Sequence, residues 1–291
     1  SKHCTYCIIP KLRGNYRSVP MEELLVEAEQ LAKEGTKELI VIAQETTVYG
    51  VDLYGEKRLP ELLQALCKID GIEWIRLLYC YPEEITKELV QTIKTEKKIC
   101  HYLDLPIQHC NNDILKRMGR KTTQADLREK ISMLRKEIPD IALRTTLISG
   151  FPGETNENHE ECVDFVANMK FERLGVFPYS PEEGTPAAEY DRQLPDEIKQ
   201  EWADEIMQTE QNVIFAQNEE MIGRRLSVIV DGYLPEDGVY VGRTYRDAPE
   251  IDGCLFFEAP YEIISGTILP VLVTDANGYD LIGEILPEED D

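Results

Sequence analysis

Two thiols spaced to share one metal stand at the front of this 291-residue chain. Cys4 and Cys7 lie in the run CTYCIIPKLRGNYR, with an aromatic residue, Tyr6, just before the second cysteine. Thiolates at this separation serve as ligands for iron–sulfur clusters and for zinc. A cubane cluster held by three thiolates leaves one iron corner open to a small molecule, so two cysteines need a third. At the spacing C-x3-C-x2-C that third cysteine falls one residue before Ser1. The expectation is a chain cut through its own site, with the missing ligand immediately upstream. A zinc site would need a second Cys or His pair at short spacing. His3 is adjacent, but Cys100, His101, His109 and Cys110 lie far along the chain.

The elements that must position these thiols follow an alternating pattern. Stretches 20–34, 59–69, 83–93, 125–138 and 156–169 repeat apolar residues at helical spacing. Between and after them come short apolar runs at 38–44, 74–79, 101–107, 141–149 and 173–180. Apolar strands alternating with amphipathic helices predict a parallel sheet covered by helices. Five strands follow the cysteine loop, and one more before it would complete an α/β fold of the open (β/α)6 TIM-like partial-barrel type. The cysteine run, QETTVYG (44–50), LDLPIQH (103–109) and ISGFPGET (148–155) all fall at or near carboxyl ends of predicted strands. In α/β sheets and barrels that edge binds ligands.

A long helical stretch, 195–219, is expected to link two domains, 1–219 and 220–291. Beyond it the pattern changes to short β-type runs at 226–232, 238–244, 254–259, 266–276 and 279–286. Close turn residues, with Asn277-Gly278 as a hairpin signal, predict a small antiparallel β-barrel. The tail PEEDD (287–291) is expected to fray.

Charge narrows the partners. The chain carries a net charge of −24, and residues 221–291 hold 4 Arg, no Lys and 15 Asp or Glu. Phosphate backbones are held by Lys and Arg, so nucleic-acid binding is expected to be weak at best. No apolar run approaches a membrane span. Apart from Cys4 and Cys7 the cysteines are scattered, which suits a reducing cytoplasm, with Cys67, Cys80, Cys162 and Cys254 as small core residues.

Together, CTYCIIPKLRGNYRS, QETTVYG, LDLPIQH and ISGFPGET resemble the radical S-adenosylmethionine methylthiotransferases, and the resemblance covers essentially the whole chain. It implies a [4Fe-4S] cluster on Cys4, Cys7 and the cysteine expected before Ser1, with S-adenosylmethionine at the open iron. It also implies an amino-terminal domain, absent from this chain, that carries a second [4Fe-4S] cluster. By the same resemblance Tyr6 packs near the adenine, and Gln44 and Glu45 approach the methionine end. Arg144 and Thr146 face the ribose and carboxylate. Gly150, Phe151, Pro152, Gly153 and Glu154 line the adenine side. Read without the family, Gly150 and Gly153 serve turns, Glu154 caps a helix and Arg144 joins an ion pair. Lys11, Arg13 and Arg17 are either a solvated loop or electrostatic support for the cluster. His109 is a general base or a satisfied structural histidine, and the catalytic acid and base stay unassigned. The segment FPYSPEEGTPA (177–187) resembles the family's loop near the site.

The chemistry the resemblance implies is one-electron reduction of S-adenosylmethionine, hydrogen removal from an unactivated C–H bond, and attachment of a methylthio group. That requires a low-potential electron donor. One branch of the family modifies adenosine in transfer RNA. The other modifies the β-carbon of an aspartate in a small-subunit ribosomal protein. The terminal barrel looks like a TRAM domain, usually an RNA binder, yet its acidity suits a basic ribosomal protein better. The segment VGRTYRDAPEIDGCLFF (241–257) resembles the ribosomal-protein branch in its DAPEIDG run. The leading expectation is therefore a cytoplasmic radical enzyme acting on a ribosomal protein, incomplete as this chain alone. The alternatives are a transfer-RNA enzyme and a non-catalytic docking protein with a zinc knuckle at Cys4 and Cys7.

Overall fold

In the computed structural model, which describes residues 2–286, five parallel strands lie side by side in chain order. They are β1 (Glu38–Val41), β2 (Trp74–Leu77), β3 (Ile99–Asp104), β4 (Ala142–Ser149) and β5 (Arg173–Pro178). Successive side chains in a strand point to opposite faces. Leu39, Ile75, Leu77, Ile99, Leu103, Leu143 and Leu147 therefore share the outer face, where helices cover them. Those helices are α2 (Met21–Lys33), α4 (Leu59–Leu66), α5 (Lys87–Thr95), α7 (Gln124–Glu137) and α8 (Asn156–Met169). The sixth strand of the expected partial barrel would precede residue 1, and the tail 287–291 lies outside the described residues.

Local chemistry sets where the helices start. Thr123 with Asp126 and Thr155 with Asn158 form capping boxes that open α7 and α8. The helix expected at 83–93 begins later, at Lys87, because Pro82–Glu84 forms a 3-10 turn and the Thr86 hydroxyl caps Leu89 N. Three short helices within the loops, α1 (Ile9–Arg13), α3 (Val51–Tyr54) and α6 (Asn112–Arg117), are too brief to register as periodicity. Cys80 and Cys162 are buried as expected, whereas Cys67 and Cys254, at element ends, are only half-buried.

The long helix α9 (Asp196–Glu219) leads to a closed barrel with strand order β10-β8-β7-β6-β9. Its strands are β6 (Arg225–Leu234), β7 (Val239–Thr244), β8 (Leu255–Glu258), β9 (Ile268–Asn277) and β10 (Asp280–Ile285), around Val228, Val230, Leu255, Phe257, Val271, Val273 and Leu281. The barrel is antiparallel as expected except at one seam, where β8 and β10 pair in parallel. Strands that alternate in direction cannot close a ring of five, so one neighbouring pair must run the same way.

The β7–β8 loop leaves the barrel and fills the inner face of the sheet. There Tyr245 and Ala248 pack with Trp74, Leu78, Cys100, Tyr102 and Ala142. Arg76, fully buried, donates to Tyr245 O at 2.7 Å and pairs with Glu38. Tyr102 donates to Asp252 at 2.7 Å, and the Arg173 guanidinium holds Asp247. The DAPEIDG run thus forms the seam between the two units. Its Gly253 is required by close approach, since a Cβ there would lie 2.3 Å from Tyr279 O.

Candidate active site

The cysteine loop is held by its backbone. Cys7 N donates to Cys4 O at 3.1 Å, closing a turn around both thiols. Between them Thr5 donates from N to Met118 O (3.0 Å) and from Oγ1 to Arg117 O (2.8 Å), and its carbonyl accepts from Ala187 N (2.9 Å). Gly119 permits this contact. Its φ is +76°, and a Cβ there would lie 3.1 Å from His3 O and 3.6 Å from Cys4 Cα. Cys4 is buried and Cys7 half-buried.

Both cysteines open onto a cavity of about 410 Å³ whose lining includes Lys2, Gln44, Glu45, Tyr81 and Glu84. Glu45 reaches it from the turn that follows β1. Its Oε1 accepts from Thr47 N (3.0 Å) and from the Thr47 hydroxyl, while Thr46 Oγ1 ties the turn to Leu78 O. Glu45 is 4% exposed, and its Oε2 has no hydrogen-bond partner among the described residues. Burial pushes its carboxyl up to about 7, against the Thr47 hydrogen bond and Lys2. Tyr81 lines the cavity beside Cys4, and Cys4 contributes to raising the phenols of both Tyr6 and Tyr81. Burial, then Cys4, raises the Tyr6 phenol well above its ordinary range.

The other expected site residues lie one layer away. Tyr6 meets Phe151 edge-on at 6.4 Å, and Phe151, fully buried, packs against Tyr179 and Tyr190. The turn Gly150–Glu154 is knit together by Glu154, whose carboxylate accepts from Phe151 N (2.9 Å) and pairs with His109 Nε2 (3.1 Å). Arg117 Nε donates to Pro152 O, and Gly153 N donates to Arg192 O. At Gly150 (φ +72°) a Cβ would sit 2.4 Å from Lys199 Cγ, so only glycine lets this turn touch α9. None of these five residues lines the cavity that holds the thiols.

Arg144 joins ion pairs, the reading given to it without the family. The β3–β4 register sets it beside Asp104, and it pairs with Asp104 (3.1 Å) and Asp252 (3.4 Å) at the seam. Thr146, two residues on along the same face, is half-buried, and its carbonyl accepts from Gln108 N. His109 is fully committed: Nδ1 accepts from Asn111 N, so Nε2 carries the proton toward Glu154. This is the structural reading of His109. Cys110 and Cys162 lie beside it, all three ligand atoms within 4.8 Å, but a metal would have to displace Asn111 N or Glu154 from one ring nitrogen. Lys11, Arg13 and Arg17 are exposed.

Cations near Cys4 come from elsewhere. Arg120 is buried, with its guanidinium 4.3 Å from the Tyr81 ring centroid and Nη2 donating to Pro106 O at 3.2 Å. Lys2 stands 5.0 Å from the same ring and pairs with Glu83 and Glu84. Sequence reasoning missed Arg120, Tyr81 and Lys2. Only the strand-end position of Tyr81 could have signalled any of them.

Residues 1–166 match the radical SAM superfamily, and residues 222–286 match the TRAM domain. The chain is 61% identical over 97% of its length to the ribosomal protein uS12 methylthiotransferase RimO of Lachnoclostridium phytofermentans. It is 50% identical over 99% to the protein of the same name from Clostridioides difficile. It spans 64% and 65% of the length of these relatives. Among solved structures, the radical S-adenosylmethionine methyltransferase TsrM from Kitasatospora setae superposes with a TM-score of 0.53 at 18% identity, over 64% of this chain and 36% of that one. Methylornithine synthase superposes at 0.52 and 14%, over 72% and 59%. At such identities the likeness is one of fold.

Proposed function

The chain belongs to the radical SAM superfamily, and from that premise we propose that it is the core and TRAM barrel of a methylthiotransferase. Its substrate would be ribosomal protein uS12, modified at an aspartate β-carbon. The names of the RimO relatives support the reaction and the substrate. The observation that carries the site is the shared cavity of Cys4, Cys7 and Glu45, into which a buried carboxylate reaches with one oxygen lacking a side-chain partner among the described residues.

That donor set fits the family's cofactors. Cys4 and Cys7 would hold two corners of a [4Fe-4S] cluster, with the third ligand upstream of Ser1. Gln44 and Glu45 would take the methionine end of S-adenosylmethionine, the free Oε2 accepting from its ammonium. When bound, cluster and S-adenosylmethionine supply one-electron reduction and hydrogen removal from an unactivated C–H bond. The chain binds, orients and excludes water. Tyr81 lines the cavity beside Cys4, and Tyr6, one layer behind, would back the adenine side. Gly150, Phe151, Pro152, Gly153 and Glu154 support Tyr6 in turn, through the Tyr6–Phe151 contact. Thr146 and Arg144, on the inner face of β4, would approach the ribose and carboxylate, Arg144 being tied to Asp104 and Asp252.

The boundary between the two units lies at the end of α9. A second cluster would belong to a domain outside this chain. The excess of acids over Arg in residues 221–291 supports a basic protein partner over RNA. A low-potential donor would supply electrons, in the cytoplasm. The test uses the full-length protein, anaerobically reconstituted, with uS12 and transfer RNA offered in parallel. The expected result is S-adenosylmethionine cleavage and methylthiolated aspartate in uS12, with iron binding impaired in Cys4→Ala and Cys7→Ala. Zinc in place of iron, or methylthiolated adenosine with unmodified uS12, would overturn the proposal.

A further inference from the structure

We infer that Arg120 is a positioning residue for electron entry, a buried positive charge behind Cys4 that makes the cluster on this loop easier to reduce. The inference rests on the reading of Cys4 and Cys7 as cluster ligands. Three observations place the guanidinium there. Arg120 follows Gly119, whose position touches His3 O and Cys4 Cα. Its charge lies over the face of Tyr81, which lines the cavity together with Cys4. Its side chain is 2% exposed.

The charge is only partly compensated by the protein. A guanidinium removed from water needs nearby negative charge and partners for its donors. Pro106 O takes one donor, and Glu83, which also serves Lys2, stands 3.9 Å away. Arg120 Nε, buried, makes no hydrogen bond among the described residues. Lys2 and Lys57, which line the cavity, are engaged by Glu83 and Glu84. The thiolates and the cluster they hold would add further negative charge here, beside Glu45 and Glu84. Adding an electron makes that assembly more negative, so a fixed cation next to it favours the reduced state.

The test is a redox titration followed by electron paramagnetic resonance, on the full-length protein after anaerobic reconstitution. It reads the cluster whose signal changes when S-adenosylmethionine is added. Arg120→Met is expected to shift the reduction equilibrium about tenfold toward the oxidised cluster, about 59 mV for one electron. Arg120→Lys, which keeps the charge, is expected to stay within about twofold of the unsubstituted protein. If Arg120→Met holds no cluster, Arg120→Gln carries the same expectation. An unshifted potential in the uncharged variants would overturn the inference. So would an Arg120→Lys shift as large as that of Arg120→Met, because the residue would then act by packing. Absence of any S-adenosylmethionine-responsive signal in the unsubstituted protein would refute the site reading beneath it.

Discussion

Asp247→Asn tests whether the seam between sheet and barrel is held by charge. Asp247 is 2% exposed and accepts from Thr244 Oγ1 (2.6 Å) and Arg173 Nε (3.1 Å). Burial opposes its ionisation, but Arg173 and Arg246 outweigh burial and hold the carboxyl below its ordinary value. Asparagine keeps the shape and leaves Arg173, itself 4% exposed, without its counter-charge. Removing one member of a buried pair costs about 3–5 kcal/mol. The assay is urea unfolding at neutral pH, read by fluorescence of Trp74, which packs with Tyr245 and Ala248 at the seam. Arg173→Met and the double variant complete a cycle whose coupling measures the pair itself. Because the folded-state value is depressed, the pair's stabilisation is complete above the unfolded value of about 3.9. It is lost as pH falls through the folded value, so the unsubstituted protein should lose more stability in acid than Asp247→Asn does. A loss below about 1 kcal/mol, or additive single variants, would refute the reasoning.

Glu45, with its carboxyl near 7, must ionise to accept an ammonium group, so S-adenosylmethionine affinity should fall about tenfold per pH unit below 7. Calorimetry across pH would check this, and Glu45→Gln should be weak and flat with pH. Gly119→Ala should destabilise the cysteine loop by about 1–2 kcal/mol, combining the left-handed backbone with crowding at His3 O. Faster amide exchange at Thr5 would report it. Glu154→Ala should cost about 1–3 kcal/mol by stripping partners from Phe151 N and His109, measured as a lower urea midpoint.

The sheet and its helices are legible because each pattern reflects a local force. These strands lack a strict apolar–polar alternation, yet apolar runs such as WIRLLY between amphipathic helices suffice to mark a covered parallel strand. The start of α5 escapes periodicity because Pro82 and Thr86, not hydrophobic spacing, decide it. All five barrel strands are visible as runs, but the parallel β8–β10 seam is a property of closure, which no single segment encodes. At the site, Cys4, Cys7, Gln44 and Glu45 are readable because strand-end loops bring them to one cavity. Arg144 takes the ion-pair role that its charge on a strand already suggested. Its register with Asp104 turns it to the seam. Arg120 carries no local mark at all. Its meaning comes from a turn that meets the cysteine loop across more than a hundred residues.

The way the β7–β8 loop seats against Arg76, Tyr102, Arg144 and Arg173 bears on any attempt to dissect this protein with a stop codon after α9. Such a shortened product would present a hollow lined with arginines and bare aromatic surface, open to solvent on the side that should be sealed. Any loss of function in it would report a ruptured sheet rather than a role of the barrel itself. Separating those two effects calls for charge changes on the barrel's far surface, with the loop left intact.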